Sequence, residues 1–523
     1  MKKQIVLTAV IIIAGLAAFS QTCDQRKFHA ATTTEIDKLI KLTDGSFTIL
    51  SVNRLYHVNA NGVIVWSKEI LPAGDKSFQG SSFVRLTDGS FVIAGDFDQS
   101  PAPGSVMTLV KTDANGNLIW SRQYYDTRFS TAKAIIKTND AGFALTGIAR
   151  EITSNGAFDD AYVMKLDASA NIQWTSIIGS VGNSDRGFSI VQTNDNGYAV
   201  TGISYINDAT DMFVAKVNSA GSLLWSKFFG DGGYDYGREI IETNDGGLAI
   251  FGGHGTVPVF GFNYDYFLVK LQNSGALQWA KYYGASDNDY PGSFIQTTDG
   301  SYVMTGASYS FRSDNSDCYS IKTNASGDVQ LSKATTGWGK LISTNGSGYV
   351  IGGMDQTTFF YDGLLIKTDN KLSTCNSRNV NTVTQVSTRS VNANFHEESR
   401  TFTASALSFT SLNATVSVSQ ICSNTLTSNI VESPTKKENN FRISIYPNPV
   451  KDKILLEFTS NELSNAEIKI SNIPGNLFFL KNITVYQGAN KETINTNFLN
   501  KGSYFLSITL RNGDKKSIQF LKE

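Results

Sequence analysis

The stretch VAKVNSAGSLLW (214–225) determines how this chain is interpreted, because close copies of it recur along the sequence. The copies are LVKTDANGNLIW (109–120), VMKLDASANIQW (163–174) and LVKLQNSGALQW (268–279), with a weaker version LYHVNANGVIVW (55–66). The full copies contain an apolar strand that ends near Lys, a tight turn, and a second strand that reaches Trp. Successive Trp residues from Trp66 to Trp279 are 54, 54, 51 and 54 residues apart, which indicates a regular repeat.

A second landmark precedes these stretches, a turn rich in Asp, Asn and Gly that tolerates positive φ angles. It occurs as TDGSF at 43 and 87, NDAGF at 139, NDNGY at 194, NDGGL at 244, TDGSY at 298 and NGSGY at 345. Each of the seven units therefore predicts four short antiparallel strands. A ring of such sheets buries both faces of each and leaves only short edges, so the sequence predicts an all-β, seven-bladed β-propeller with the Trp residues packed between blades.

Composition and charge fit an exported β protein. The 523 residues include 45 Gly, 21 Tyr and 32 Phe, which suits many short strands joined by tight turns. Charged residues make up 17%, and the net charge is −1 with no basic cluster in the repeats. The electrostatic signature of a nucleic-acid-binding protein is therefore missing.

The N-terminus has the layout of a secretory signal peptide, predicted for residues 1–20. Lys2 and Lys3 precede an apolar run from Ile5 to Leu16, which is too short to span a bilayer. We expect no transmembrane segment after cleavage. Lipidation at Cys23 is an alternative, but Ser20 and its neighbours match a lipoprotein signal poorly.

Four cysteines in an exported chain permit disulfides without forming a disulfide scaffold. Cys375 and Cys422 bracket a Ser/Thr-rich stretch and are the candidate pair. Cys318 is interpreted as a small strand residue, at the position where sister repeats have Ala161, Met212 and Tyr266.

The composition changes suggest domain boundaries. We predict a propeller at 21–375, a Ser/Thr-rich closing segment and linker at 376–440, and a small Ig-like β-sandwich at 441–523.

The KxDxxGxxxW pattern resembles the tryptophan-docking repeat of quinoprotein-type propellers, and the whole unit resembles the repeats of secreted Bacteroidetes surface propellers. The resemblance covers roughly residues 35–375 and concerns architecture. Quinoprotein dehydrogenases would imply a quinone, calcium and often a disulfide of adjacent cysteines. This chain has no Cys-Cys pair, so the cofactor is not carried over.

The C-terminal residues resemble the type A sorting domain of substrates of the Bacteroidetes type IX secretion system. The motif residues are Tyr446, Pro447, Asn448 and Pro449, the Gly475 turn, Gly502, Tyr504 and the terminal run through Lys522. Pro474 departs from the polar residue more usual there. The resemblance implies the type IX machinery as partner, passage through the periplasm to the outer surface, removal of the domain, and attachment to surface lipopolysaccharide or release.

The longer loops of the repeats are predicted to share one face, where binding residues concentrate. The candidate ligand-binding residues are Tyr234, Tyr236, Tyr264, Tyr266, Tyr290, Asp235 and Asp289. An acidic rim is expected around them, from Asp160, Asp185, Asp211, Asp265, Asp317 and Asp362. Such a rim can hold Ca²⁺ through oxygen ligands, or each Asp can instead cap its own loop by hydrogen bonds.

No catalytic constellation stands out. The four histidines, His29, His57, His254 and His396, occur in unrelated contexts, and His254 is expected to be a solvated loop residue. No catalytic residue and no cofactor other than possible Ca²⁺ is predicted. The preferred hypothesis is a non-enzymatic surface module that binds or adheres to an extracellular glycan or protein, and the alternative is a secreted polysaccharide hydrolase or lyase.

Overall fold

The chain divides into two compact units, Met1–Ser428 and Asn429–Glu523. A computed structural model describes residues 22–29, 36–72, 77–98, 104–125, 130–153, 156–180, 182–206, 209–230, 233–256, 263–311, 316–345, 348–355, 362–374, 377–380, 383–387, 390–392, 395–399, 403–406, 409–413, 417–425, 443–460, 464–472, 477–510 and 515–523. Within these ranges every regular element is a β-strand, which confirms the all-β class, and no helix there is long and apolar enough to cross a membrane. The predicted signal peptide, residues 1–20, lies outside them.

The strands of the first unit are short and follow the repeat. In chain order they are β1 (Thr22–His29), β2 (Lys38–Lys41), β3 (Phe47–Ser51), β4 (Arg54–Val58), β5 (Ile64–Pro72), β6 (Phe78–Arg85), β7 (Phe91–Asp98), β8 (Ser105–Thr112), β9 (Leu118–Tyr125), β10 (Ser130–Lys137), β11 (Phe143–Thr153), β12 (Gly156–Leu166), β13 (Ile172–Ser180), β14 (Ser184–Gln192), β15 (Tyr198–Ile206), β16 (Ala209–Val217), β17 (Leu223–Phe229), β18 (Tyr234–Glu242), β19 (Leu248–Thr256), β20 (Asn263–Leu271), β21 (Leu277–Gly284), β22 (Asp289–Gln296), β23 (Tyr302–Ser308), β24 (Asp317–Thr323), β25 (Val329–Thr336), β26 (Trp338–Asn345), β27 (Gly348–Asp355), β28 (Asp362–Thr368), β29 (Arg378–Asn379), β30 (Val383–Ser387), β31 (Ser390–Asn392), β32 (Phe395–Ser399), β33 (Thr403–Ala406), β34 (Phe409–Asn413) and β35 (Ser417–Thr425).

Consecutive strands pair antiparallel in sets that match the repeats. Sheets 1 to 6 contain β2–β5, β6–β9, β10–β13, β14–β17, β18–β21 and β22–β25, and sheet 7 contains β26–β28. One parallel pair, Thr210 with Tyr234, joins sheets 4 and 5. The fourth strand of sheet 7 is β1 from the N-terminus, which places Asp24 opposite Lys367.

Neighbouring sheets pack through their first strands and through apolar cores between them. The first strand of each sheet contacts the first strand of the next, and β26 of sheet 7 contacts β2 of sheet 1. A buried apolar cluster lies between each neighbouring pair, including Val350 of sheet 7 with Phe47 of sheet 1. The series of sheet contacts therefore closes on itself.

The outer segment, residues 378–425, adds a fifth strand to each of these sheets. β29 pairs with β25, β30 with β21, β31 with β17, β32 with β13, β33 with β9, β34 with β5 and β35 with β1, all antiparallel. The segment thus pairs in turn with sheets 6, 5, 4, 3, 2, 1 and 7. An unpaired edge strand is a template for aggregation, and the outer segment covers part of every such edge.

The repeated turns are fixed by side chains of the turn residues. Asp113 Oδ1 accepts hydrogen bonds from the backbone N–H groups of Asn115 and Asn117, both at 2.8 Å. Gly116 then adopts φ +78°, which a residue with a Cβ tolerates poorly. This local geometry ends the third strand of the repeat and begins the fourth.

Four Trp residues of the repeat pack onto a turn glycine of the following sheet. A Cβ added to Gly221 of sheet 4 would lie 2.7 Å from Trp174 Cε3 of sheet 3, so a larger residue here requires the ring or the turn to shift. The equivalent turn position of sheet 3 is Ala170, which also has positive φ and belongs to the cluster against which Trp120 packs. Trp174 also meets Tyr198 of sheet 4 edge to face, with ring centroids 5.7 Å apart. Equivalent pairs are Trp66 with Gly116, Trp225 with Gly275, and Trp279 with Gly327.

Buried lysines link the strands and turns within a sheet. Lys165 Nζ lies 2.8 Å from Asp140 Oδ2, and its side chain is 5% exposed. Lys216 with Asp195 and Lys270 with Asp245 repeat this ion pair. Burial acts to raise the pKa of Asp140, but hydrogen bonds from Lys165, Thr138 and the Gly142 N–H outweigh it and lower the pKa to about 2.

The second unit contains two antiparallel sheets that share one apolar core. Its strands are β36 (Ile443–Tyr446), β37 (Lys453–Ser460), β38 (Ser464–Asn472), β39 (Leu477–Val485), β40 (Gly488–Asn495), β41 (Gly502–Leu510) and β42 (Lys515–Lys522). One sheet has the order β36-β37-β40 and the other β39-β38-β41-β42. Ile454 and Leu456 of the first sheet are buried with Ile468 and Leu506 of the second.

The Trp contact predicts different costs for two similar glycine substitutions. Gly221 and Gly246 both have positive φ, +91° and +75°, but a Cβ at Gly246 would meet nothing within 4 Å. Gly246→Ala should lower the free energy of unfolding by about 1 kcal/mol from backbone strain. Gly221→Ala should lower it by roughly 1–3 kcal/mol more, because the methyl group collides with Trp174. Urea unfolding measures both, and equal losses would contradict the proposed role of the contact.

The Lys165–Asp140 pair predicts a pH-dependent stability difference. Because the pKa of Asp140 falls from its ordinary 3.8 to about 2 on folding, its stabilising contribution is complete above pH 3.8 and is lost as pH falls through about 2. At pH 7 Asp140→Asn should cost about 1 kcal/mol, since the Asp140 side chain is half-exposed and solvent screens the pair. The difference in unfolding midpoint between this variant and the wild type should shrink between pH 4 and pH 2. A difference that stays constant over that range would exclude the ion pair as its cause.

Candidate functional site

Four of the predicted tyrosines lie together on sheets 5 and 6. Tyr234 and Tyr236 are on β18, Tyr264 is on β20, and Tyr290 is on β22. All four side chains are partly buried and partly accessible. We call them the tyrosine cluster.

The rings of Tyr236, Tyr264 and Tyr290 form a connected row. The ring centroids of Tyr236 and Tyr264 are 6.3 Å apart, and those of Tyr264 and Tyr290 are 5.4 Å apart. Tyr290 also lies 6.2 Å from Tyr309 and 6.5 Å from Trp338 of sheet 7. The row therefore crosses from sheet 5 to sheet 7.

Glycines on β19 make room for these rings. A Cβ at Gly253 would lie 2.5 Å from the Tyr236 ring, and one at Gly255 would lie 2.8 Å from the Tyr264 ring. The sequence GGHG at 252–255 was a signal for this crowding that the sequence interpretation missed. It placed weight on the aromatic residues and none on the glycines opposite them.

Two cavities open beside the cluster. The tyrosine pocket, of about 380 Å³, is lined by Ile203, Tyr205, Ala209, Thr210, Tyr234, Tyr236 and Tyr264. The Arg238 pocket, of about 350 Å³, is lined by Tyr236, Arg238, Tyr290, Pro291, Gly292, Trp338, Lys340 and Met354. Tyr236 belongs to both, so the two pockets are neighbours, and their size falls at the lower end of the range of about 300–1,000 Å³ typical of ligand sites.

A third cavity, also about 350 Å³, is lined by residues at or beside the first strands of all seven sheets. We call it the first-strand cavity. It shares Tyr236, Arg238, Gly292 and Lys340 with the Arg238 pocket. The tyrosine cluster thus lies where a pocket between sheets meets the cavity that the first strands enclose.

Burial affects the acidity of the cluster. It raises the pKa of Tyr236 to about 12, and it also raises the pKa values of Tyr264 and Tyr290. These phenols therefore stay protonated at neutral pH and can donate or accept hydrogen bonds at their hydroxyl groups.

Tyr266 does not share this surface. It is fully buried between sheets 5 and 6, where its hydroxyl donates to the Tyr319 carbonyl at 2.9 Å. Its ring packs edge to face on Phe251 at 5.2 Å. Because β-strand side chains alternate sides, Tyr264 and Tyr266 share a face, and depth within the sheet separates their surroundings.

The expected acidic rim is wrong for most of its residues, because their carboxylates are buried. Asp160, Asp185, Asp235, Asp289, Asp317 and Asp362 are each at most 5% exposed, while Asp211 and Asp265 are partly buried. Several accept hydrogen bonds from their own connections, as the capping alternative predicts. Asp185 Oδ2 accepts from the Ser180 N–H at 2.6 Å, and Asp289 Oδ2 accepts from the Ala285 N–H at 2.7 Å.

Burial also changes the acidity of Asp289. Burial raises its pKa to about 7, an effect that hydrogen bonds from Ser308 and Ala285 offset only in part. Asp289 directly precedes Tyr290 in β22.

The prediction that His254 is a solvated loop residue is also wrong. His254 lies in β19 at 4% exposure, and its Nδ1 is 2.6 Å from Asp235 Oδ1. Its imidazole stacks on Tyr282 with centroids 3.8 Å apart. Asp235 is therefore paired with a buried histidine and is not part of an exposed rim.

The predicted Ca²⁺ site and disulfide are not found among the described residues. Among the described residues no group of three or more His, Cys, Asp and Glu side chains is placed to hold a metal ion, and Ca²⁺ binding stays a prediction. Cys318 is buried and free, as its interpretation as a strand residue expects. Cys375 lies outside the described residues, so its pairing with Cys422 also stays a prediction.

The predicted sorting motif assembles from both ends of the second unit. Asn448 Oδ1 accepts a hydrogen bond from the Leu521 N–H at 3.0 Å, and the Val450 N–H donates to the Leu521 carbonyl at 2.8 Å. The Tyr446-Pro447-Asn448-Pro449 segment therefore lies against the terminal strand β42.

Of the remaining motif residues, Gly475 lies outside the described residues, and Gly502 precedes the buried Tyr504 at the start of β41. The Tyr504 hydroxyl donates to the Asn500 carbonyl at 3.0 Å, and its ring stacks on Phe520 of β42. By contrast, Tyr446 is 44% exposed, and its hydrogen bond with Glu457 raises its pKa.

Comparison with solved structures gives only remote similarity for the whole chain. Two structures of the Plexin A4 full extracellular region align with it. The one of domains 1 to 8 has 7% identity and a TM-score of 0.31, and covers 94% of this chain and 84% of that one. The one of domains 1 to 10 has 6% identity and a TM-score of 0.30, and covers 94% and 66%. Similarity at this level supports no conclusion about fold or function, and no curated protein matches the sequence.

The second unit matches a known protein family. Residues 444–522 match the family described as the secretion system C-terminal sorting domain, and this range holds the whole Tyr446–Pro449, Gly502 and Tyr504 motif. The predicted C-terminal sorting domain is confirmed for these residues. The chain therefore carries a C-terminal sorting domain that makes it a substrate of the type IX secretion system, exported to the cell surface or secreted.

Proposed function

We propose that this protein is a secreted, non-enzymatic binding module built on a seven-bladed β-propeller, and that it binds an extracellular glycan at the tyrosine cluster. The observation that carries the binding proposal is that Tyr236, Tyr264 and Tyr290 form a connected aromatic row along two adjacent cavities.

The propeller assignment is supported by how the sheets meet. Seven sheets contact one another in sequence through their first strands, and sheet 7 contacts sheet 1. β1 completes sheet 7 beside β28, so strands from both ends of the repeat region join in one sheet. Both features are those that a closed ring of blades requires.

The choice of a glycan rests on the chemistry of the cluster. Each tyrosine offers a flat apolar face with a polar tip, which suits a sugar ring that has C–H faces and hydroxyl edges. The sheets are also held together by apolar clusters against which the partly buried Trp225 and Trp279 pack, and neither cluster includes a residue of the tyrosine cluster. Partly exposed aromatic groups that packing does not explain mark binding surfaces.

The alternative of a polysaccharide hydrolase or lyase stays a prediction. Its motivation was a set of accessible acidic loop residues, and no observation of the described residues favours it. Incubating the protein with candidate polysaccharides and looking for new reducing or unsaturated ends tests it directly.

The binding proposal predicts that loss of one ring weakens glycan binding. Tyr290→Ala should reduce affinity at least tenfold, because Tyr290 lies centrally in the row and contacts Tyr264, Tyr309 and Trp338. Tyr486→Ala is the matched control, since Tyr486 is 66% exposed and belongs to the second unit. A glycan array identifies a bound oligosaccharide, and calorimetry compares the variants. Equal affinity of the Tyr290→Ala variant and the wild type would refute the assigned site.

The sorting domain predicts a clear export defect. Removal of residues 441–523 should leave the protein in the periplasm, because the type IX machinery recognises the deleted domain. Cell fractionation and protease treatment of intact cells measure the location. Lys469→Ala, a change at a partly exposed strand position of this domain, serves as the control and should not alter export. Surface display of the truncated chain would show that the domain does not direct export.

A further inference from the structure

The Arg238 pocket combines aromatic walls with positive charge. Tyr236, Tyr290 and Trp338 form its aromatic part, and Arg238 and Lys340 contribute two cations, whereas no Asp or Glu lines it. A pocket that presents only cations among its charged groups favours an anion.

The two cations differ in how much of their charge is already neutralised. Lys340 Nζ lies 2.9 Å from Asp37 Oδ1 at the first-strand cavity, so its charge is paired. Arg238 Nε donates to the Gly292 carbonyl at 2.7 Å. In the part of the chain that the structure describes, no carboxylate lies within ion-pair distance of Arg238.

The nearest acidic residue in sequence does not neutralise Arg238. Glu239 Oε2 accepts hydrogen bonds from Ser293 Oγ at 2.7 Å and from the Phe294 N–H at 3.0 Å. Its carboxylate is therefore used to join sheets 5 and 6. Within the described residues, the Arg238 guanidinium bonds through Nε, so its Nη groups can still donate to a ligand.

The arrangement also pre-organises the guanidinium. The bond from Nε to Gly292 restrains the plane of the group, and a planar guanidinium matches the two oxygens of a carboxylate or sulfate. Holding the donor in place before binding reduces the entropy that binding must overcome.

We propose that the Arg238 pocket accepts the anionic group of an acidic saccharide, whose sugar ring stacks on Tyr290 or Trp338 while its carboxylate or sulfate binds Arg238. This inference rests on the proposed glycan-binding function and names the class of glycan. Uronate and sulfated sugars share the required chemistry, and the probes below separate them.

The first test uses the full-length wild-type protein and ligands that differ only in charge. The probes are a galacturonate tetramer, its fully methyl-esterified form and a sulfated galactan tetramer with its desulfated form. We expect one acidic probe to bind at least tenfold more tightly than its neutral counterpart. Increasing salt should weaken binding of the acidic probe and leave the neutral one unchanged.

The second test uses variants. Arg238→Gln should abolish the preference for the acidic probe while retaining weak binding of the neutral one. Arg122→Gln is the matched control, because Arg122 Nη1 also donates to a backbone carbonyl of the next sheet, that of Ser169 at 2.8 Å, and lines none of the three cavities. Thermal unfolding of both variants checks that the fold is retained.

The outcomes separate this inference from the proposed function. Equal binding of charged and neutral probes by the wild type, or an unchanged preference in a folded Arg238→Gln variant, would overturn the acidic-saccharide inference and leave glycan binding intact. Binding of neutral oligosaccharides alone would also overturn the acidic-saccharide inference and leave glycan binding intact. No binding to any saccharide would overturn both.

Discussion

The contact between a tryptophan of one sheet and the turn of the next is the interaction on which the first unit depends. Trp174 packs closely on the backbone at Gly221, which has no Cβ and adopts φ +91°. The same residue types that form the tight turn therefore provide the docking surface. A turn, a strand boundary and an interface between sheets are thus encoded together in about twelve residues of sequence.

Edge strands impose a second constraint. Without a partner, the outer strand of each sheet would leave backbone groups unpaired. The outer segment pairs with these outer strands in the reverse of their order along the chain, from β25 to β1. Sheet 7 takes strands from both ends of the unit, because it combines β26–β28 with β1 and β35. The Ser/Thr-rich stretch predicted as closing segment and linker contributes strands to every sheet from residue 378 to residue 425.

The candidate site shows where sequence reasoning succeeds and where it stops. Tyr234, Tyr236, Tyr264 and Tyr290 were selected from their loops, and the structure brings them together because the corresponding ends of neighbouring sheets meet. Tyr266 and Asp289 were selected on the same grounds but are buried, since depth along a strand is not visible in a repeat pattern. The sequence does not mark Arg238 as a binding residue, because its pocket is completed by Trp338 and Lys340, about 100 residues away in sequence.

The sequence by itself determined the all-β class, the repeated four-stranded unit, the turn positions and the sorting motif, because each depends on residue spacing over short distances. Tertiary structure decided which side chains are buried, such as His254 against Asp235, and which surfaces join into pockets. It also decided that residues 378–425 pair with every sheet in turn. These properties depend on which sheets become neighbours and on how deep each side chain lies between them, and neither is encoded in local spacing.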